Sequence, residues 1–207
     1  MSDILGAVAD VARDVEASED GACTVVLRRP YDFPVEAVWR ACTTPAHLEA
    51  WFLPISGTLA PGGRYQFEGN AGGEILNCEA PQCLRVSWLY ADHPDQEVSL
   101  HLAPQASGSV FELRHWTPRA TSALELPFAV GPGWDSSLVA LGAYLGGQLP
   151  ERSWWESPGG VALIERSARA WQRVLVAREL ASPDAAERAA DQAIAFYTGI
   201  EAAQATT

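Results

Sequence analysis

The spacing of apolar residues changes along the chain, from steps of three and four near the start, to alternation in the middle, and back to steps of three and four after residue 130. Ile4, Leu5, Val8, Val11, Ala12 and Val15 predict a short amphipathic helix within 1–20. Ser18-Glu19-Asp20-Gly21 ends it, and residues 22–29 read as a strand. Pro34 suits the first turn of a helix, where a missing N–H costs nothing, and Val35, Val38 and Trp39 give that helix its apolar stripe. Thr44-Pro45 repeats the start signal for a second helix over about 45–50, ending at Trp51-Phe52.

From Ser56 to Trp116 the period is two. Tyr65 and Phe67 alternate with polar neighbours after Gly62-Gly63, and Asn70 to Gly73 form a hairpin turn. Strands follow through Ile75 and Asn77, through Val86, Trp88 and Tyr90, and, after a turn at His93-Pro94-Asp95, through Val98, Leu100 and Leu102. Ser107-Gly108 turns the chain into a last strand, in which Phe111, Leu113 and His115 share one face. Consecutive strands joined by short turns predict an antiparallel meander. Residues 117–130 read as a loop, and a helix runs from Gly131-Pro132-Gly133-Trp134 to Leu149 with Trp134, Leu138, Leu141 and Leu145 on one stripe. Beyond Pro150, one helix carries Val161, Ile164, Ala168, Trp171 and Leu175. Ser182-Pro183 starts another, through Ala186, Ala190, Ile194, Tyr197 and Ile200, so that the two form a hairpin.

Taken in order, several segments resemble one family. Tyr31 to Trp39 (YDFPVEAVW), Thr44 to Phe52 (TPAHLEAWF), Gly62-Gly63-Arg64-Tyr65, Gly73-Glu74-Ile75 with Pro81, Leu84 and Ser87-Trp88, Phe111 to His115, and Gly133-Trp134 with Leu138 and Leu141 are similar to the START-like (SRPBCC, helix-grip) superfamily. The branch they resemble is that of the activator of heat-shock-protein-90 ATPase homologues. Gln82 stands where the family often has a second proline. The resemblance covers about 23–148 and implies an α+β helix-grip fold, a curved antiparallel sheet of about six or seven strands wrapped on a long helix. The expected layout is an N-terminal helix (1–20), the START-like domain (21–149) and a C-terminal helical extension (150–207). Residues before 21 and after 149 match nothing in the family pattern, and the separate chaperone-binding domain of the eukaryotic activators is not recognisable.

The resemblance also implies a mostly apolar cavity between sheet and final helix. Trp39, Trp51, Phe52, Tyr65, Phe67, Trp88, His115, Trp134, Leu138 and Leu141 are its candidate ligand-binding residues, with a small hydrophobic molecule as the partner. Most of these aromatics are equally suited to be plain core. His115 is the one candidate acid or base, for a cyclase- or dehydratase-like activity of the kind the superfamily contains, and the competing reading is a histidine satisfied by its neighbours. A chaperone-cofactor or regulatory interaction module is a third reading. The helical tail, with Trp154, Trp155 and Trp171, either docks on its own chain or joins two chains as a homodimer.

Charge and composition narrow this further. The net charge is −12 and all 14 basic residues are arginine, which speaks against nucleic acid and anionic membrane surfaces. Cys23, Cys42, Cys78 and Cys83 include no C-x-x-C pair, no histidine cluster has metal spacing, and no phosphate loop or nucleophile elbow occurs. Neither metal nor cofactor is expected, and no catalytic residue set is evident. An acidic N-terminus unlike a signal peptide, and no apolar run of about 18 residues, predict a cytoplasmic protein with reduced thiols.

Overall fold

The computed structural model describes residues 4–90 and 95–199. The turn residues His93 and Pro94, and Ile200, lie outside the described residues. Eight strands, β1 (Ala12–Ala17), β2 (Cys23–Tyr31), β3 (Ile55–Gly57), β4 (Arg64–Phe67), β5 (Gly72–Glu79), β6 (Cys83–Ser87), β7 (Glu97–Gln105) and β8 (Gly108–Thr117), form one curved antiparallel sheet. Their order is β1-β2-β8-β7-β6-β5-β4-β3. Helices α1 (Val35–Thr43) and α2 (Pro45–Trp51) connect β2 to β3, and α3 (Glu125–Leu145) lies in the curve of the sheet. Helices α4 (Pro158–Ala177) and α5 (Pro183–Thr198) follow. This is the helix-grip arrangement, with one strand more than the upper end of the expected range.

The alternation seen in the sequence is the burial of the strands. In β8, Phe111, Leu113, His115 and Thr117 are buried, while Glu112 and Arg114 stand on the other face and form ion pairs with Arg28 and Glu16. Val25 of β2 and Val98 of β7 flank His115 in register, so these inward positions line up across three strands. Leu138 and Leu141 of α3 enter the same core.

The N-terminal expectation is corrected. Residues 12–17 are not helical; they form the edge strand β1, which pairs with β2 from Ala12 opposite Arg28 to Ala17 opposite Cys23. Only a short 3-10 turn, Gly6–Val8, precedes it. Val11, Arg13 and Val15 do alternate, but the middle position is a charged residue, which disguised the period. Arg13 can point inward because Asp135 meets it there at 2.8 Å.

The long helix is corrected at both ends. It starts at Glu125 rather than near Gly131, and it runs through Pro132. Pro127 sits in the first turn, where no intrahelical N–H is needed, whereas Pro132 forgoes one bond. Burial of Leu126, Phe128 and Leu138 on either side keeps the helix continuous. It ends four residues early, where Gly147 adopts φ of 65° and Gln148 N–H bonds back to the Ala143 carbonyl at 2.7 Å.

Each C-terminal helix has a serine cap followed by proline: Ser157 accepts from Gly159 N–H and Ser182 from Ala185 N–H. α4 lies against α3 and β1, burying Leu163, Ala168, Trp171 and Leu175. Gly131 makes the approach close, since a Cβ there would stand 2.4 Å from the Trp171 indole nitrogen. The apolar stripes of the tail therefore dock on their own chain, and the same core cluster contains Trp171, Leu175 and Ala190 together with the sheet residues.

Candidate functional site: an apolar cavity between sheet and helix

A cavity of about 160 Å³ lies between the concave sheet and α3. Its wall comes from α2 and the residue after it (Leu48, Trp51, Phe52), from inward positions of β4 to β8, and from Trp134, Ser137, Leu138 and Leu141 of α3. Leu59, Ala60 and Pro61, in the loop between β3 and β4, complete it and are exposed, which places the mouth there. Among the described residues the lining includes no carboxylate, histidine, lysine or arginine.

One end of the cavity is aromatic. Phe52 and Trp134 lie nearly parallel with centroids 6.4 Å apart, Phe52 meets Phe67 edge-on at 5.0 Å, and Trp88 packs on Trp134 at 5.1 Å. The hydroxyl groups of the wall and two of its three indoles are already engaged. Trp51 donates to the Ala41 carbonyl at 2.9 Å and Tyr65 to that of Ser87 at 2.7 Å. Thr43 donates to the Trp39 carbonyl at 2.7 Å and Ser137 to that of Gly133 at 2.9 Å. Burial pushes the Cys42 thiol up to about 12 and the Tyr65 hydroxyl well above its ordinary value, so both remain protonated near neutral pH.

Eight of the ten candidates from the sequence border this cavity: Trp51, Phe52, Tyr65, Phe67, Trp88, Trp134, Leu138 and Leu141. Trp39 does not. It is buried in α1 against the core without reaching the cavity. His115 does not either. It shares the concave face, as its alternation implied, but lies behind Trp134. The Trp134 indole donates to His115 Nδ1 at 3.0 Å, so the ring proton is on Nε2, which donates to Gln96 Oε1 at 2.8 Å. With no exposed surface, the imidazole is held down to about 3 by desolvation. A neutral ring with both nitrogens occupied, outside the cavity wall, is not placed to shuttle protons to a bound molecule. Its visible work is to orient Trp134.

Two buried polar groups escaped the sequence reading. The carboxylate of Asp135, on α3, is fully buried and receives Arg13 Nε at 2.9 Å and Nη2 at 2.8 Å, the Ser167 hydroxyl, and the Trp171 indole at 3.0 Å. Arg13 also donates to the carbonyls of Val8 and Val11. Burial pushes the Asp135 carboxyl up from its ordinary value, and Arg13, Ser167 and Trp171 oppose that by donating to the ionised form. Arg29 is the second. Its guanidinium lies 5.1 Å from the Tyr31 ring and donates to the Leu138 carbonyl, which Tyr31 also reaches at 2.8 Å. A single aspartate or arginine carries no signature of its own, and only the meeting of β1, α3 and α4 reveals these contacts. The four cysteines are free thiols, and no cluster of three or more metal-ligating side chains occurs among the described residues. No helix among them is long and apolar enough to cross a membrane.

The family described as Activator of Hsp90 ATPase homolog 1-like protein matches residues 32–146, more than half of the chain. The chain belongs to this family. Among solved structures, the crystal structure of CalU16 from Micromonospora echinospora is 33% identical, covering 80% of this chain and 96% of its own, with a TM-score of 0.65. Its solution structure gives 34% identity, coverage of 81% and 96%, and a TM-score of 0.67. DynU16, a protein of the dynemicin biosynthetic locus, is 22% identical over 61% of this chain and 48% of its own, with a TM-score of 0.54, and shares the fold alone. No match was found among curated protein sequences. The CalU16 likeness spans more of the chain than residues 32–146 supply, so it reaches into the segments that flank the family's core.

Proposed function

We propose that this protein binds a small, uncharged, hydrophobic molecule in the cavity between the sheet and α3, without catalysis by its own side chains. The observation that carries this reading is the wall itself: an open space lined almost wholly by apolar side chains, with the hydroxyl hydrogens of Thr43, Tyr65 and Ser137 and the indole hydrogens of Trp51 and Trp134 already donated elsewhere. A charged ligand would lose its hydration there without a compensating partner. A flat or aromatic portion would meet Phe52, Phe67, Trp88 and Trp134. At about 160 Å³ the cavity falls below the range of about 300–1,000 Å³ usual for ligand sites. The ligand is therefore compact, or α2 and the adjoining loop move outward to receive it.

Native mass spectrometry of protein isolated from its own cells should show a retained neutral molecule. Nile red, a neutral apolar dye, should shift its emission on mixing and quench the tryptophans of the wall. A protein that carries nothing and leaves Nile red unchanged would exclude this function.

A further inference from the structure

Of the three indoles in the cavity wall, two have donated their hydrogens, that of Trp51 to the Ala41 carbonyl and that of Trp134 to His115 Nδ1. Trp88 is the third. It follows β6 directly, and its backbone N–H bonds to the Gln96 carbonyl at 2.6 Å. The residue is only 9% exposed, and its ring packs on Trp134 at 5.1 Å, Phe67 at 5.9 Å and His115 at 6.2 Å. None of these neighbours takes the Nε1 hydrogen. His115 has both nitrogens occupied, by Trp134 and by Gln96, and an indole is a donor only. Trp88 Nε1 has no hydrogen-bond partner among the described residues. It is not sealed either, since the one partnerless side-chain nitrogen or oxygen among them that is closed off from contact is Arg29 Nε. A buried indole usually finds a partner for its N–H. Here the donor stays open, on a nine-tenths buried residue that borders the aromatic end of the cavity.

We propose that the cavity takes aromatic ketones, compact molecules whose flat ring lies among Phe67, Trp88 and Trp134 and whose carbonyl oxygen accepts the Trp88 Nε1 hydrogen. This rests on the binding function proposed above and narrows it to one ligand chemistry. A bound molecule without an acceptor would take Nε1 away from water and leave the donor buried and unpaired, at a cost to binding. An oxygen at that point removes the cost. A carbonyl suits the position better than a hydroxyl or an amide N–H, because Phe67, Trp134 and the fully engaged His115 offer no acceptor for a hydrogen on the ligand. Attachment of the carbonyl directly to the ring keeps the molecule flat and places oxygen and ring at the same end of the cavity.

Acetophenone and α-methylstyrene test this, being alike in shape and differing by a carbonyl oxygen in place of a methylene. Apolar burial alone favours α-methylstyrene, since the ketone is the better hydrated. Calorimetric titration of the full chain should nevertheless show acetophenone bound about tenfold more tightly. In proton–nitrogen correlation spectra, the Trp88 indole signal, assigned by its loss in Trp88→Phe, should move downfield with acetophenone and much less with α-methylstyrene. Trp88→Phe keeps an aromatic ring and deletes the donor, so the preference for the ketone should fall by about tenfold, whatever happens to the two affinities together. The comparison of the two probes on the wild-type chain needs no variant to fold. Tighter binding of α-methylstyrene by the wild-type chain, or a ketone preference that Trp88→Phe retains, overturns the proposal and leaves the binding function standing. Binding of neither probe overturns it too, and Nile red then shows whether the binding function falls with it.

Discussion

Replacing Asp135 with asparagine keeps the shape of the side chain and removes the charge that faces Arg13. Asp135 has no exposed surface and the Arg13 side chain only 6%. Removing one partner of a buried pair costs about 3–5 kcal/mol, because the remaining charge is left uncompensated. For a chain of this length each kcal/mol lowers the melting temperature by about 2–4 °C, so Asp135→Asn should lower it by about 6–20 °C. Arg13→Met should cost a similar amount, since only Ser167 and Trp171 would then donate to the carboxylate. The double variant Arg13→Met/Asp135→Leu removes both charges and should cost less than the two single changes added together, by about 1 kcal/mol or more, as contacting residues couple on that scale. Urea denaturation followed by tryptophan fluorescence reads all three, and the buried Trp171 reports on the same spot. Strictly additive costs, or an Asp135→Asn variant that melts within about 2 °C of the parent, would refute the reasoning.

Two further outcomes follow from the site. In the unfolded chain His115 takes a proton near its ordinary value of 6.5, whereas in the folded chain it resists until about 3. The unfolded state thus binds more protons between these values, and stability should fall as pH drops through that window, by up to about 1.4 kcal/mol per unit, and be fully present above it. Denaturation at a series of pH values should show a flatter slope in His115→Gln; equal slopes would mean that His115 is not buried neutral. Val86→Phe points a larger side chain into the cavity. It should weaken Nile red binding at least tenfold while costing less than the 1–3 kcal/mol typical of an overfilled core. Undiminished binding together with a large loss of stability would place the open space elsewhere.

The parts of this fold that could be read in advance are those where local pattern and tertiary environment agree. Phe111, Leu113 and His115 alternate because they face one core, and Pro34 and Pro45 mark helix starts because a first turn needs no N–H there. The readings that failed are those where a distant partner decided the outcome. Arg13 interrupts an apolar alternation that only Asp135, more than a hundred residues away, makes tolerable. Pro132 between two glycines resembles a helix start, yet the burial of Leu126 and Phe128 carries the helix through it. The aromatic wall of the cavity was legible through the family resemblance, which named Trp51, Phe52, Tyr65, Phe67, Trp88 and Trp134 but also Trp39, which stays in the core behind α1. His115 was placed on the correct face but at the wrong depth, because the Trp134 indole that covers it comes from another element.

The buried carboxylate of Asp135 also separates two ways of drawing a protein's limits. Residues 32–146 define the family and contain Asp135, but not the three side chains that satisfy it: Arg13 lies upstream, and Ser167 and Trp171 lie downstream. A fragment cut at the family's borders would keep an acid in an apolar setting with nothing to answer it. The smallest piece worth expressing is therefore wider than the piece that similarity outlines. On the ribosome the same contacts impose a sequence of events. Asp135 can be met by Arg13 as soon as α3 emerges, and its remaining donors arrive only when α4 has been made.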